Sequence, residues 1–170
     1  VEIEDNGIGF NVRNFASFCI TDSPYKEHLG GRGMGRLYWL KAFDHVSIDS
    51  IYEEDGTKRH RNFEFRLSNS GIENYLDGLV YTDAKRTTKV RLIDIQSEYS
   101  PYFPKTATTI ANHIIEHFLA QFILGTVPRI VVVDGEEERE VKSMFLDTVA
   151  VENTEDFLIK SHPFKILHFM

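Results

Sequence analysis

Residues 1–10 read VEIEDNGIGF and residues 28–43 read HLGGRGMGRLYWLKAF. Each stretch holds a glycine cluster. The first is led by an aspartate, and the second runs into an apolar stretch with helical spacing. Val1 and Ile3 alternate with acidic residues, as in a half-buried strand, and Asp5-Asn6-Gly7 then breaks the chain with ordinary turn chemistry. Gly30, Gly33 and Gly35 are spaced G-x-x-G-x-G, not in the G-x-G-x-x-G order that follows a strand in dinucleotide-binding folds. Glycines in such a loop let backbone N–H groups approach phosphate oxygens, and a helix N-terminus adds favourable partial positive charge. Alone, each cluster is ambiguous.

Outward from these clusters, hydrophobic spacing predicts the remaining elements. Phe15, Phe18 and Ile20 suit a short helix before the polar TDSPYKEH loop, and Leu37, Leu40 and Phe43 suit a helix opening at the glycines. Val46, Ile48 and Ile51 read as a strand, and Asp55-Gly56 as a hairpin turn. Phe63, Phe65 and Leu67 form the return strand. A short strand is expected at Leu79–Tyr81 and a longer one through Val90, Leu92 and Ile95. Thr106 to about Leu124 reads as one long helix, with Ile110, Ile114, Phe118 and Phe122 in a stripe. Gly125 and Pro128 end it, and Ile130 to Val133 leads into a turn at Asp134-Gly135. Strand hairpins interspersed with helices predict an α+β, two-layer sandwich.

The two clusters together carry more. Asp5-Asn6-Gly7-Ile8-Gly9 is followed by a variable segment from about Phe10 to Leu29, then Gly30-Gly31-Arg32-Gly33-Met34-Gly35, then Arg86-Thr87-Thr88-Lys89-Val90. This order resembles the Bergerat-fold (GHKL) ATPases, the superfamily of gyrase, the ninety-kilodalton heat-shock chaperone, histidine kinases and MutL. Their pattern is D-x-G-x-G, a lid, G-x-x-G-x-G and a threonine in a later strand, and the match covers roughly residues 1–96. The resemblance implies an ATP site coupling nucleotide binding and lid closure to conformational change. In it Asp5 accepts from the adenine amino group and Thr88 supports that carboxylate. Gly7 and Gly9 leave room for the base, and Phe10 covers it. Gly30, Gly33 and Gly35 lie along the phosphates, with Lys26 and Arg32 as lid cations. It further implies Mg²⁺, an ATPase as parent protein and a homodimer of the full-length protein. The family's general base and Mg²⁺-binding Asn lie on a helix upstream of D-x-G-x-G, so both are expected before Val1 and no catalytic residue within the chain.

Two domains are expected, residues 1–100 for nucleotide and 101–170 as a helix plus β-hairpin extension. The order of the second resembles the start of the transducer segment in MutL, MORC proteins and the chaperone, and argues against a histidine kinase. An ATP-binding regulatory module that does not hydrolyse is an alternative reading. A second alternative, of another class, is a zinc peptidase. His113-Ile114-Ile115-Glu116-His117 fits H-x-x-E-H, in which two histidines on one helix face hold Zn²⁺ and Glu116 is the base. It lacks an evident third ligand, and histidines flanking a packed stripe are the plainer reading.

Composition bounds these readings. The chain has 170 residues, 42% hydrophobic and 12% aromatic. That suffices for a substantial core and argues against disorder. A net charge of −7 gives no support for direct nucleic-acid contact. The single cysteine, Cys19, fits a reducing compartment, and neither a membrane-length apolar run nor a signal peptide is visible. A cytoplasmic location without membrane contact is the expectation.

Overall fold

The computed structural model describes residues 1–21, 23, 25, 34–81, 83–149 and 151–169. The chain divides into two units, Val1–Tyr102 and Phe103–Met170. Both are built from helices and antiparallel strands, with five α-helices among the described residues. No helix among those residues is long and apolar enough to cross a membrane.

The first unit runs β1 (Glu2–Asp5), α1 (Val12–Cys19), α2 (Gly35–Ala42), β2 (Phe43–Glu54), β3 (Thr57–Arg66), β4 (Ile72–Leu79) and β5 (Thr87–Ile95), ending in a 3-10 turn at Ser100–Tyr102. The strands form one sheet in the order β1-β5-β2-β3-β4, every neighbouring pair antiparallel. Alternation assigns its two faces. Val46, Ile48, Phe63, Phe65 and Val90 form the core on one face, and Phe15 and Phe18 of α1 with Leu37 and Leu40 of α2 pack against them. Burying each such side chain contributes about 1.5–3 kcal/mol. The opposite face carries ion pairs instead, including Arg91–Glu2 at 2.6 Å, Lys89–Glu4 at 3.2 Å and Arg66–Glu64 at 2.7 Å. Such exposed pairs are worth about 0–1 kcal/mol each. Helices on one face and solvated charge on the other give the unit its layering.

Local chemistry explains the boundaries. Asn11 caps α1, its Oδ1 accepting from the Asn14 N–H at 2.8 Å. Asp55 and Gly56 both take positive φ, 50° and 72°, as the tight β2–β3 hairpin requires. Leu67, expected in the return strand, lies beyond β3 and is 90% exposed. Of the strand expected at Leu79–Tyr81 only Leu79 is in a strand, as the last residue of β4, which begins at Ile72. Its IENYLDGL sequence does not alternate cleanly, because the β3–β4 register shifts between Asn62 and Glu64.

The second unit runs α3 (Ala107–His117), α4 (Leu119–Ile123), β6 (Val131–Asp134), β7 (Glu137–Glu140), α5 (Val141–Thr148), β8 (Val151–Ile159) and β9 (His162–Phe169). Ala111, Phe122, Val141 and Phe145 form its core. The single long helix expected from Thr106 to Leu124 is two helices. Phe118 leaves helical geometry at φ −107°, ψ 23°, which lets Phe122 enter the core while Phe118 stays 39% exposed beside the His117 ring. The last thirty residues, which alternate only weakly, form α5 and the β8–β9 hairpin.

Candidate functional site

The antiparallel registers align one polar position from each strand of the first unit. Asp5 on β1 pairs with Thr88 on β5, Thr88 with Ser50 on β2, Ser50 with Arg61 on β3, and Arg61 with Asp77 on β4. Paired residues in a sheet point to the same face, so these five form a row on the helix side. The neighbouring row, Ile3, Val90, Ile48 and Phe63, is apolar, and its last three members belong to the core while Ile3 at the sheet edge is 49% exposed. The apolar core therefore gives way to a polar row one pleat further along the sheet.

The turn Asn6–Phe10 is bonded to this row. The Gly7 N–H donates to Asp5 Oδ1 at 2.8 Å, fixing the carboxylate. The Phe10 N–H donates to Ser50 Oγ at 3.0 Å, and Ser50 Oγ lies 2.9 Å from Thr88 Oγ1. Ser50 and Thr88 are both buried, at 0% and 3% exposure. Asn14 of α1 closes the turn from above, its Nδ2 donating to the Gly9 carbonyl at 2.6 Å. Gly9 has φ +74°, and a Cβ there would stand 2.8 Å from Ser50 Oγ and 2.9 Å from Tyr52 Cβ. At Gly7 a Cβ would meet Asp5 Oδ1 at 2.9 Å. Gly9 is needed for this close approach, whereas a side chain at Gly7 would only have to push aside the end of the Asp5 side chain.

Beside the turn lies a cavity of about 450 Å³, within the size range of small-molecule sites. Asp5, Gly7, Gly9 and Thr88 line it, with Asn14, Ser17 and Phe18 of α1 and Arg36 of α2. Arg36 donates to the Ile20 carbonyl at 2.6 Å and stacks over Phe18 at 5.1 Å. Burial pushes its guanidinium down from its ordinary value, so a bound anion there would offset lost hydration. A carboxylate with buried hydroxyls behind it, and a partly desolvated cation, share one cavity.

Behind the turn stands a second polar group. Arg61, 4% exposed, donates to the Phe10 carbonyl at 2.6 Å and the Asn11 carbonyl at 3.1 Å. Its other edge bonds Asp77 and the Tyr52 hydroxyl. Burial pushes the Asp77 carboxyl up, but hydrogen bonds from Arg61, Arg59 and Tyr52 outweigh this and hold it at about 2.

The structure thus brings Asp5, Gly7, Gly9, Phe10 and Thr88 around one cavity. Thr88 Oγ1 bonds Ser50 Oγ, Asp5 Oδ1 accepts from the Gly7 N–H, and Asp5 and Thr88 share a register position. Phe10 lines the cavity and also packs inward, edge-on to Phe18 at 5.4 Å and Phe63 at 5.5 Å. Gly35 opens α2, is not among the cavity's described lining residues, and has open space where a Cβ would stand. Lys26, Gly30, Arg32 and Gly33 lie outside the described residues. Within the stretch expected as a lid, Phe10 to Leu29, residues 12–19 form α1, the short helix expected there, and residues 22, 24 and 26–29 lie outside the described residues. Phe15 and Phe18 sit 5.1 and 5.5 Å from the Phe63 ring.

Sequence reasoning missed Arg36, Ser50, Asn14 and Arg61. Only Arg36 had a readable signal, as a cation directly after the second glycine cluster. In the second unit, His113 Nδ1 lies 3.3 Å from Glu116 Oε2, both side chains exposed, and His117 stacks edge-on against Phe118. Among the described residues no group of three or more His, Cys, Asp or Glu is placed to hold a metal ion.

No protein-family model matches this chain, and no curated protein matches it. Among the described residues the cavity's walls offer the Asp5 carboxylate, the backbone of Gly7 and Gly9, apolar ring surface from Phe10 and Phe18, and one cation, Arg36.

Proposed function

We propose that the first unit is an adenine-nucleotide-binding domain of the Bergerat (GHKL) type, with ATP as ligand and lid closure as its output. The observation that carries this reading is the in-register row Asp5–Thr88–Ser50 beside the cavity. The D-x-G-x-G aspartate and the later threonine are 83 residues apart in sequence yet occupy paired positions on adjacent strands. Asp5 Oδ1 is held by Gly7, which leaves Oδ2 as an acceptor for the adenine amino group. Thr88, held by Ser50, contributes a hydroxyl at the same edge. Phe18 supplies apolar surface for the base, and Arg36 supplies charge for the phosphates. Magnesium, which the resemblance also implies, has no cluster of three acidic or imidazole ligands among the described residues.

In this reading the parent protein is an ATPase, the second unit is the start of a transducer or effector segment, and the full-length protein dimerises. The resemblance puts the general base before Val1, so the ATPase and a non-hydrolysing regulatory module share this same cavity. Among the described residues lining the cavity, Asp5 is the sole carboxylate, and adenine recognition occupies it. A general base must reach the attacking water near the terminal phosphate, at the other end of the nucleotide.

Calorimetric titration with ATP tests the proposal. One-to-one binding is expected, weakened by about 1–3 kcal/mol in Asp5→Asn, the cost of mispairing a polar group that the bound base would cover. Equal affinity in wild type and Asp5→Asn would remove Asp5 from the site.

A further inference from the structure

We propose that Arg61, clamped by Asp77, is a positioning residue that sets the shape of the nucleotide cavity by holding the carbonyl oxygens of Phe10 and Asn11. The inference rests on the nucleotide reading of that cavity and adds to it a residue on the far side of the turn, away from any ligand.

Arg61 sits at the fourth position of the row that begins with Asp5. Its planar guanidinium presents donors in fixed directions, and here they face two ways. Nη1 reaches the Phe10 and Asn11 carbonyls at 2.6 and 3.1 Å. Nε and Nη2 reach Asp77 Oδ2, and Nη2 also donates to the Tyr52 hydroxyl at 2.9 Å. The carboxylate is itself fixed from its other side by Arg59, whose Nε donates to Asp77 Oδ1 at 2.9 Å. The rings of Phe15 and Tyr52 lie 4.6 and 4.9 Å from the guanidinium carbon. The head group therefore has one available orientation.

Phe10 is held at both of its backbone polar groups by neighbours in register. Ser50 accepts from its N–H and Arg61 donates to its carbonyl. With Asp5 at the other end, the row secures both ends of the turn whose glycines line the cavity. The Asn11 carbonyl, also held by Arg61, belongs to the residue that caps α1, so the same side chain fixes where that helix starts.

A purely stabilising role is the competing explanation, and the physics separates the two. Replacing a buried ion pair with packed apolar groups is often neutral or stabilising, whereas removing one partner strands a charge. The triple variant Tyr52→Phe/Arg61→Met/Asp77→Leu removes Arg61 together with its two side-chain partners, and the Arg59 left without Asp77 is 34% exposed and can turn to solvent. It also leaves the Phe10 and Asn11 carbonyls without their donor.

The test measures thermal unfolding, ATP affinity by calorimetry and amide hydrogen exchange over residues 10–15, in wild type and the triple variant. The expected result is a folded variant whose ATP affinity falls about ten-fold or more, the usual worth of hydrogen bonds to a charged group, with faster exchange over residues 10–15. Wild-type affinity together with unchanged exchange would overturn the proposal. Faster local exchange in a protein whose wild type binds no ATP would uphold the anchoring of the turn and sink the nucleotide reading instead. Should the triple variant fail to fold, Arg61→Lys keeps the charge beside Asp77 and loses the two-sided fork. There a fall in ATP affinity with faster exchange supports positioning, and wild-type values for both contradict it.

Discussion

Gly9 shows how tightly a single residue is specified in this site. Its φ of +74° disfavours any side chain, and the two atoms a Cβ would strike belong to Ser50 and Tyr52, both fully buried. Neither can retreat, so Gly9→Ala is expected to destabilise the first unit by about 1–3 kcal/mol, read as a lower thermal midpoint. An unchanged midpoint would show that the turn is looser than its contacts indicate. Arg36 makes the complementary point about charge. Its partly desolvated guanidinium faces the cavity, so Arg36→Ala is expected to lower affinity for ATP about ten-fold while leaving adenosine within two-fold, since a charge-assisted bond is lost only where phosphate is present. Equal losses for both ligands would place Arg36 in a structural role through its bond to the Ile20 carbonyl. The motif residues Asp5, Gly7, Gly9 and Thr88 were legible in the sequence because each serves a local or family-level rule. Asn14 was not, since an asparagine in a short helix carries no sign that it closes a turn.

Among the elements, the β2–β3 hairpin was readable to the level of register. A two-residue turn at Asp55-Gly56 forces Glu54 opposite Thr57, and counting back places Ser50 opposite Arg61. The next pairing was hidden. The irregularity between Asn62 and Glu64 moves β4 by one position, and with it Asp77 comes opposite Arg61. No count from the Asn69-Ser70-Gly71 turn yields that pairing. The β8–β9 hairpin was missed for a different reason: Lys160 and Ser161 make its tight turn, with φ of 48° and 67°, where Asn-Gly is the usual signal. Helix α5 was missed because Glu140 caps it, its carboxylate accepting from the Ser143 N–H at 3.2 Å, a cap outside the usual set.

The bulged pairing also has a pH signature. Asp77 is held at about 2 when folded, against an ordinary value of 3.8. A depressed carboxyl contributes stability that is present above its unfolded value and lost as pH falls toward its folded one. The contribution is about 2 kcal/mol and disappears between roughly pH 4 and pH 2. Stability measured by urea unfolding is therefore expected to fall less steeply across that window in Asp77→Asn than in wild type. Parallel curves would mean that Asp77 is no better paired in the folded state than in the unfolded one.

At the scale of the whole molecule, composition and spacing led to antiparallel sheets with interspersed helices, and the structure has that class. The feature that carries the nucleotide proposal is non-local. Asp5 and Thr88 meet only because β5 returns between β1 and β2, and the polar row needs all five strands in place. A family pattern can point at Asp5 and Thr88 together, but Ser50, Arg61 and Asp77 become visible only through strand pairing. Under the nucleotide proposal the row is also where stability and binding would join, since its members hold the turn that lines the cavity. Titrating ¹⁵N-labelled protein with ATP, and following each amide signal by NMR, tests this most directly. Saturable shifts concentrated at Gly7, Gly9, Phe10 and Thr88, with residues 103–169 little changed, are the expected result. No shift at millimolar ATP, or shifts centred away from the Asp5–Thr88 row, would contradict the assignment of this cavity to an adenine nucleotide.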